Sequence, residues 1–324
     1  MEKGSVVVDG LEEQEIKERS RGTGGSHVII SCMDLWQLSD LCTPWCVHVV
    51  ATLRIAEHIA AGTTDITQLA AASGADAESL QRVLRHLVSK GLFEEPAPGR
   101  FKLNDAAQDL RNETMSMWLD LRGFGGRMAY AWGTLLAAVQ TGRPAYHAAF
   151  SRPFWEDLEA HPEIAASFDK GMGPAGHGIP DARVLLDPAD WDSVRTVADV
   201  GGGTGALLAE VLRAHPQVYG TLIDLPRTVT LADESFRAAG VMDRVSLVGQ
   251  SFFDPLPAGH DLYLLKSVLA DWPDADAVHI LRRCAEAARP CGRVVLLSGV
   301  VPGETAGPSL LMMVLVGGKD RTLV

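Results

Sequence analysis

The chain has 324 residues, of which 47% are hydrophobic and 22% charged, and its mean hydropathy is +0.07. This composition is typical of a soluble globular protein with one large or two ordinary domains. The 41 acidic residues outnumber the 29 lysines and arginines and give a formal net charge of -12, which makes nucleic acid a poor partner. No apolar run is long enough to span a bilayer.

Residues 1–26 are charged and rich in glycine and serine. They lack the apolar core of a secretory signal, so we expect a flexible lead-in. Five cysteines, an odd number, indicate a reducing compartment and hence a cytoplasmic protein. Cys42 and Cys46 lie near His48, but no second ligand pair follows at the spacing that zinc sites use. Buried thiols on an apolar helix are therefore favoured, and no metal site is predicted.

The following segment reads as three helices and a hairpin. Apolar residues at helical spacing begin at CMDLWQL, are expected to break at Pro44, and end at Gly62. ITQLAAASG predicts a second helix, and DAESLQRVLRHLVSKGLF a third that runs from an N-cap at Asp76 to Gly91. LFEEPAPGRFKLN predicts two short strands around a turn. This order predicts a winged-helix-like domain over residues 27–105.

A winged helix raises the alternative of DNA binding, because the third helix carries four basic or titratable residues. These are Arg82, Arg85, His86 and Lys90. The acidic balance of the chain favours a solvated helix face instead. A long helical stretch follows from Ala106 to about Met172, and residues 106–190 are expected to form a helical connector.

The second half alternates strands with helices. RTVADV, YGTLIDLP, RVSLVGQ, HDLYLLK and RVVLLSGVVP predict strands, and amphipathic segments lie between them. This alternation predicts a parallel sheet wound on both faces. The fold class is therefore α/β, with a Rossmann-like domain over residues 191–324.

VADVGGGTG is a strand that leads into a glycine turn. Gly201 and Gly203 allow a ligand to approach the backbone, because they have no Cβ. Asp224 ends the next strand, about twenty residues further on, where an acid accepts hydrogen bonds from ribose hydroxyls. NAD and S-adenosylmethionine both fit this pattern. Asp199 before the glycines suits an ammonium group and would repel a pyrophosphate, which favours S-adenosylmethionine.

Several linked motifs resemble the S-adenosylmethionine-dependent small-molecule O-methyltransferases of the caffeate/hydroxyindole type, including the bacterial polyketide and naphthoate tailoring branch. They are ATLRIAEHIAAG, FWEDL, SFDKGM, DVGGGTG, IDLP, SFFDPLP, DWPD, ILRRCAEAARPCG and GGKDRT. The resemblance implies that the winged-helix part dimerises rather than binding DNA. It also implies an aromatic or polyketide-derived small-molecule acceptor, without a role for nucleic acid or a membrane.

The resemblance implies a set of site residues. Gly201 and Gly203 would lie against the methionine part, and Asp224 would hold the ribose. Ser251, Phe252 and Lys266 complete the expected cofactor site, with a partial match at Ser251 because many relatives have aspartate there. The expected acceptor pocket contains Trp155, Phe168, Met172 and His177.

The catalytic residues depart from the family pattern. Members that deprotonate a phenol have a histidine before the Asp-Trp pair, where this chain has Ala270. One supporting glutamate corresponds to Ser298 and a second to Asp320. The usual general base is therefore absent. Asp271 remains beside the gap and is the candidate catalytic residue, and His147 and His177 are further candidates.

Three functions fit these residues. The first is methyl transfer to a hydroxyl group, mainly by proximity and orientation. The second is a hydroxylase, decarboxylase or cyclase that uses S-adenosylmethionine without consuming it, because a fixed charge needs no base. The third is a winged-helix regulator. Relatives continue beyond GGKDRTLV with another helix and a β-hairpin, so we expect a truncated or replaced C-terminal end.

Overall fold

A computed structural model describes residues 35–172, 185, 188–297, 300–301 and 309–322. The chain divides into two compact units, Met1–Leu41 and Cys42–Val324. In the first unit, the structure describes a short helix, α1 (Leu35–Leu38), followed by a hydrogen bond from Ser39 Oγ to Trp36 O of 3.2 Å. All elements below belong to the second unit.

The second unit begins with four helices and a two-stranded antiparallel wing. Their bounds are α2 Cys42–Thr52, α3 Ile55–Ala60, α4 Ile66–Ser73, α5 Ala77–Ser89, β1 Glu94–Ala97 and β2 Arg100–Lys102. The predicted break at Pro44 is wrong. Pro44 lies in the first turn of α2, where its missing N–H costs no hydrogen bond. The chain breaks instead at Arg54, whose φ of 56° is left-handed.

Aspartate side chains start α4 and α5. Asp65 accepts a hydrogen bond from Thr67 N at 3.0 Å, and Asp76 accepts one from Ser79 N at 2.8 Å, which confirms the predicted N-cap. Arg85 of α5 donates a hydrogen bond through Nε to the Glu95 carboxylate of β1, at 3.1 Å. This arginine is therefore engaged within its own domain.

Residues 105–172 form seven short α-helices, within the predicted helical stretch. They are α6 Asp105–Gln108, α7 Glu113–Leu119, α8 Phe124–Ala131, α9 Leu135–Thr141, α10 Tyr146–Phe150, α11 Phe154–Ala160 and α12 Pro162–Met172. Gly125 and Gly126 lie directly against the carbonyl oxygens of Trp118 and Leu121, so a side chain has no room there. This close approach lets Phe124 enter a core shared by α8, α11 and α12.

The predicted parallel sheet is confirmed. Its strands are β3 Thr196–Val200, β4 Tyr219–Asp224, β5 Val245–Gly249, β6 Leu262–Lys266 and β7 Arg293–Leu297, in the order β5-β4-β3-β6-β7. The helices around it are α13 Pro188–Trp191, α14 Ala206–Ala214, α15 Pro226–Ala238 and α16 Asp274–Ala287. Two hydrophobic clusters include residues of these strands, as both faces of a parallel sheet require.

The last described elements are β8 Val300–Val301, α17 Leu310–Leu315 and β9 Arg321–Thr322, and β8 pairs with β9 in parallel. In the ranges that the structure describes, no helix combines the length and the apolar character needed to cross a membrane.

The strand order reverses between β3 and β6. From β3 the chain moves outward through β4 and β5 and then returns to the other side of β3. In open parallel sheets, ligands bind outside the carboxyl ends of the strands at such a reversal. Asp199, Asp224 and Lys266 all lie at the carboxyl ends of their strands.

Candidate active site

The glycine turn between β3 and α14 needs its glycines for two reasons. Gly201 and Gly203 have φ values of 69° and 59°, in the left-handed region. A Cβ on Gly201 would also lie 2.8 Å from Val268 Cγ2 and 3.3 Å from the Phe252 ring. Gly201 therefore packs against the loops that follow β5 and β6 with no room for a Cβ, whereas a Cβ on Gly203 would meet open space.

Asp199 is the second last residue of β3, and 1% of its surface is exposed. Neither carboxylate oxygen has a hydrogen-bond partner in the described part of the chain. Burial raises its pKa to about 7, the nearby Asp224 also raises it, and the charge of Lys266 lowers it. A buried, unpartnered carboxyl beside a glycine turn is the counter-group that a cationic ligand would need.

Asp224 ends β4 and faces the same turn. Its Oδ2 accepts from Gly203 N at 2.8 Å, and its Oδ1 accepts from Leu225 N at 2.7 Å. Burial raises the pKa of Asp224, and these two N–H groups oppose the rise. Each oxygen keeps a lone pair for a further donor, so the carboxylate is held in place and still able to bind hydroxyl groups.

Ser251 and Phe252 follow β5. Ser251 Oγ accepts a hydrogen bond from Phe253 N at 3.2 Å, which fixes the turn. The Phe252 ring lies against Gly201 and meets the Trp272 ring edge-on, with 5.7 Å between centroids. The structure thus brings Phe252 to the glycine turn.

A single helical turn, Leu269–Asp271, follows β6 and contains the position of the missing histidine. Arg321 holds this turn by donating to Leu269 O at 2.6 Å and to Trp272 O at 2.9 Å. Gly318 lies against the Ala270 carbonyl with no room for a Cβ. The GGKDRT segment is therefore the support of this turn, a role that the sequence analysis did not assign to Arg321.

Asp271 has an altered protonation equilibrium. Burial alone raises its pKa from 3.8 to about 7. A carboxyl with this pKa changes charge near neutral pH, in the range that suits general acid–base catalysis.

The other residues predicted to act as a base, or to support one, lie in different parts of the chain. Asp320 accepts a hydrogen bond from Ser309 Oγ at 2.6 Å, so it is engaged with the start of α17. His147 is exposed on α10. Ser298 and His177 lie outside the described residues.

The predicted pocket aromatics connect the helical connector with the sheet domain. Trp155 of α11 stacks on Trp272 with 6.0 Å between centroids and 17° between planes. Phe168 of α12 meets Trp155 edge-on at 5.8 Å. Met172 ends α12 and is half-buried. Trp272 lies in the quoted DWPD motif but was not predicted as a site residue, because only tertiary contacts place its ring between Trp155 and Phe252.

A second missed group stabilises the connector. Asp157 is 1% exposed and accepts a hydrogen bond from Tyr146 OH at 2.7 Å. Arg127 Nε lies 3.1 Å from the same carboxylate, and its guanidinium lies 4.5 Å from the centroid of the Phe150 ring. Burial first, and then the bond to Asp157, raise the pKa of Tyr146. These three residues join α8, α10 and α11.

Comparison with known protein families gives two matches. Residues 36–112 match the O-methyltransferase dimerisation domain, and residues 132–324 match the O-methyltransferase domain. The chain belongs to this O-methyltransferase family. The predicted α/β Rossmann-like fold and the family resemblance are confirmed.

Similar proteins come from antibiotic-producing bacteria. The 2,7-dihydroxy-5-methyl-1-naphthoate 7-O-methyltransferase of Streptomyces carzinostaticus is 43% identical over 88% of this chain and 87% of that protein. Aclacinomycin 10-hydroxylase RdmB of Streptomyces purpurascens is 38% identical over 89% and 80%. The O-methyltransferase NcsB1 from neocarzinostatin biosynthesis, solved with S-adenosylmethionine and 2-hydroxy-5-methyl naphthoic acid, is 41% identical, with a TM-score of 0.83 and coverage of 90% of each chain.

S-adenosylmethionine is the cofactor of this O-methyltransferase, and the described residues fit it. The unpartnered Asp199 carboxyl suits its ammonium group, and the anchored Asp224 carboxylate suits its ribose hydroxyls. At Gly203 a Cβ would meet nothing within 4 Å, so the backbone of the turn is open to a ligand there. The confirmed enzyme class is thus an S-adenosylmethionine-dependent O-methyltransferase.

Proposed function

We propose that this O-methyltransferase methylates a hydroxyl group of a flat aromatic acceptor of the naphthoate or polyketide type, in secondary metabolism. The observation that supports this proposal is a row of three aromatic rings in contact, which extends from the connector to the glycine turn. The rings are those of Trp155, Trp272 and Phe252. Aromatic walls of this kind bind planar rings through large apolar contact. The similarity to the naphthoate methyltransferase gives the same acceptor class.

Each cofactor residue has a separate task in this proposal. Asp199 neutralises the ammonium group, and Asp224 accepts from the ribose hydroxyls. Ser251 and Phe252 flank the adenine, Gly201 and Gly203 allow backbone approach, and Lys266 lies near the methionine part. The bound cofactor supplies an electrophilic methyl group on a sulfonium. The protein aligns the acceptor oxygen with that group and excludes water.

Asp271 is the proposed general base. A phenol has a pKa of about 10, so an ordinary carboxylate is a base weaker by about six pKa units. Burial raises the pKa of Asp271 to about 7. The unfavourable gap for proton transfer therefore shrinks to about three units. Such assistance is worth roughly 10²–10⁴-fold in rate.

Trp155, Phe168 and Met172 form the proposed acceptor wall, and His177, outside the described residues, is the remaining proposed contact. The Trp155 indole Nε1 is buried without a hydrogen-bond partner in the described part of the chain. It therefore offers a donor for a carboxylate or carbonyl oxygen on the acceptor. A hydroxylated aromatic acid would satisfy both the apolar wall and this donor.

The second candidate is a hydroxylase that uses the cofactor as a fixed positive charge. Two observations favour it: Ala270 occupies the histidine position, and RdmB is a similar protein with hydroxylase activity. The hydroxylase reaction can be distinguished from methyl transfer by measurement, because it leaves S-adenosylmethionine unconsumed. The regulator hypothesis has no comparable support, and the net charge of -12 opposes DNA binding.

The test incubates the protein with S-adenosylmethionine and 2-hydroxy-5-methyl naphthoic acid or its 7-hydroxylated analogue. S-adenosylhomocysteine and acceptor products are then quantified by mass spectrometry. One S-adenosylhomocysteine for each product heavier by one methyl group supports the proposal. An oxygenated product with intact cofactor selects the hydroxylase instead. Failure to bind S-adenosylmethionine in calorimetry would contradict both.

We also propose a cytoplasmic homodimer. The dimerisation-domain match covers residues 36–112. Trp45 of this domain packs on Tyr130 with 5.1 Å between ring centroids. In α9, Leu136 and Val139 are 69% and 65% exposed. Exposed large apolar side chains would be covered in a protein interface. Light scattering should give twice the chain mass of 34.7 kDa, and a monomer at micromolar concentration would contradict the proposal.

A further inference from the structure

Three potential metal ligands meet between α2 and α5, far along the chain from the methyl-transfer site. The Sγ atoms of Cys42 and Cys46 are 3.8 Å apart, one helical turn from each other. These two atoms and a ring nitrogen of His86 all lie within 4.8 Å of one another. Neither cysteine is in a disulfide.

The sulfur–sulfur distance is the one that a tetrahedral ion would impose. With zinc–sulfur bonds of about 2.3 Å and a tetrahedral angle, two thiolate ligands lie about 3.8 Å apart. Cys42 and Cys46 already have this separation. A ring nitrogen of His86 lies within 4.8 Å of both sulfurs. Tetrahedral coordination would bring it to about 3.6 Å from each. Thiolate and imidazole are also the donor set that selects zinc over magnesium or calcium.

A neighbouring hydroxyl orients the histidine. Thr43 Oγ1 is 2.8 Å from His86 Nε2, so the ring of α5 is held against the first turn of α2. In metal sites, hydrogen bonds of this kind fix the imidazole orientation, and their loss typically costs 10–100-fold in affinity. Cys46 is buried, His86 is half-buried and Cys42 is exposed, so the group has both a protein side and a solvent side.

In the sequence, Cys42 and Cys46 lie near His48, and no metal site is predicted because no second ligand pair follows. In the structure, His48 Nδ1 is 2.8 Å from Leu119 O, so this histidine contacts the connector. The third potential ligand is His86, on another helix. The expected burial of both thiols is wrong for Cys42, which is exposed.

We propose that Cys42, Cys46 and His86 bind one zinc-class divalent ion that links α2 to α5, with water at the fourth position. Each thiol releases its proton to solvent as its metal–sulfur bond forms. Two thiolates and a neutral imidazole then balance the double positive charge of the ion. A neutral centre suits this half-buried position better than an isolated charge would. Both helices belong to the dimerisation domain, so the ion would connect two elements of that domain.

The test uses Co²⁺ as a spectroscopic probe on the full chain, reduced and freed of metal by chelation. We expect one equivalent to give the intense visible bands of tetrahedral Co²⁺ and a thiolate-to-metal charge-transfer band. One equivalent of Zn²⁺ should abolish both. Cys42→Ser and His86→Gln should weaken binding at least about 100-fold, and Thr43→Val about 10–100-fold. Cys291→Ser, an exposed thiol of the sheet domain, should leave binding unchanged.

Folding is checked separately, by far-ultraviolet dichroism and by S-adenosylhomocysteine binding in each variant. Cys42 is exposed, so its serine variant should keep both signals. A second readout is thermal: Zn²⁺ should raise the melting temperature of the wild type but not that of Cys42→Ser. Weak, six-coordinate Co²⁺ spectra, or unchanged affinity in a folded Cys42→Ser, would overturn the proposal.

Discussion

Asp199 is buried, and its carboxyl group has no hydrogen-bond partner among the described residues. If it binds the ammonium group of the cofactor, Asp199→Asn should weaken S-adenosylmethionine binding by about 30-fold or more, because losing one partner of a buried charge pair costs at least ~2 kcal/mol. The wild-type affinity should also fall below pH 7, since the carboxyl with a pKa of about 7 must lose its proton to bind a cation. Calorimetric titration between pH 5.5 and 8.5 measures both effects.

Asp243→Asn provides the control for this experiment. Asp243 is exposed in the turn Met242–Arg244. Its substitution by asparagine removes the same formal charge from the same domain. Its affinity and pH profile should match the wild type. A pH-dependent affinity that persists in Asp199→Asn would assign the titration to another group and count against the role of Asp199.

Asp271 should control the rate rather than the cofactor affinity. We expect Asp271→Asn to lower kcat by roughly 10²–10⁴-fold, the usual contribution of a general base. In the wild type, kcat should rise with pH through about 7, where Asp271 loses its proton, and this rise should be missing in the variant. Stopped assays of S-adenosylhomocysteine formation across pH 5.5–9 give the profile.

Restoring the family histidine at position 270 is a second test of general-base catalysis. In Ala270→His combined with Asp271→Asn, the new imidazole should recover part of the lost rate. Equal rates for Asp271→Asn and the wild type would mean that transfer relies on proximity alone.

At the scale of elements, the turn Leu269–Asp271 owes its position to a segment fifty residues later in the chain. Arg321 donates to the carbonyl of Leu269 in the turn, to that of Trp272 directly after it, and to the Asp274 carboxylate through Nε at 3.1 Å. Arg321→Lys keeps the charge but loses the planar fork of donors. We expect a higher KM for the acceptor and a lower kcat, with unchanged cofactor affinity, in steady-state kinetics and calorimetry.

Lys319→Gln is the matched control for Arg321→Lys. Lys319 contacts the same Asp274 at 2.7 Å, but its side chain is 55% exposed and bonds no carbonyl of the turn among the described contacts. Exposed ion pairs contribute about 0–1 kcal/mol, so its kinetics should stay close to the wild type. If both variants behave alike, the effect belongs to Asp274 and not to the position of the turn.

At the scale of the whole molecule, two buried carboxyl groups couple stability to pH. Between pH 4 and 7 the folded protein keeps the proton on Asp199, whereas the unfolded chain, with a pKa near 3.8, loses it. The folded state then binds more protons, so this group makes the free energy of unfolding fall as pH rises, and the fall ends above about pH 7. Asp271 acts in the same direction.

The expected result is a stability difference that grows with pH. Relative to the wild type, Asp199→Asn should gain up to about 1.4 kcal/mol per pH unit between pH 5 and 7 and then level off. Urea unfolding of the cofactor-free protein measures it. Carboxylates with a lowered pKa, such as Asp274 beside Lys319, change charge only below this window. Parallel stability curves for the two proteins would contradict the raised pKa of Asp199.

The sequence by itself determined the features that repeat locally. Alternating apolar segments specify the parallel strands, the glycines after Asp199 specify a turn that only residues without Cβ adopt, and Asp76 specifies a helix start. These signals depend on neighbours within one element, so they are readable along the chain. They sufficed for the fold class, the family and the cofactor.

Tertiary structure decided everything that depends on distant neighbours. The pKa of Asp271 rises because other segments exclude water from it, and the role of Arg321 depends on carbonyls about fifty residues away. Trp272 becomes a link only through Trp155, and Cys42 meets His86 only because α2 packs on α5. Burial and through-space contact depend on how the chain packs, so they cannot be predicted from the spacing of residues along the sequence.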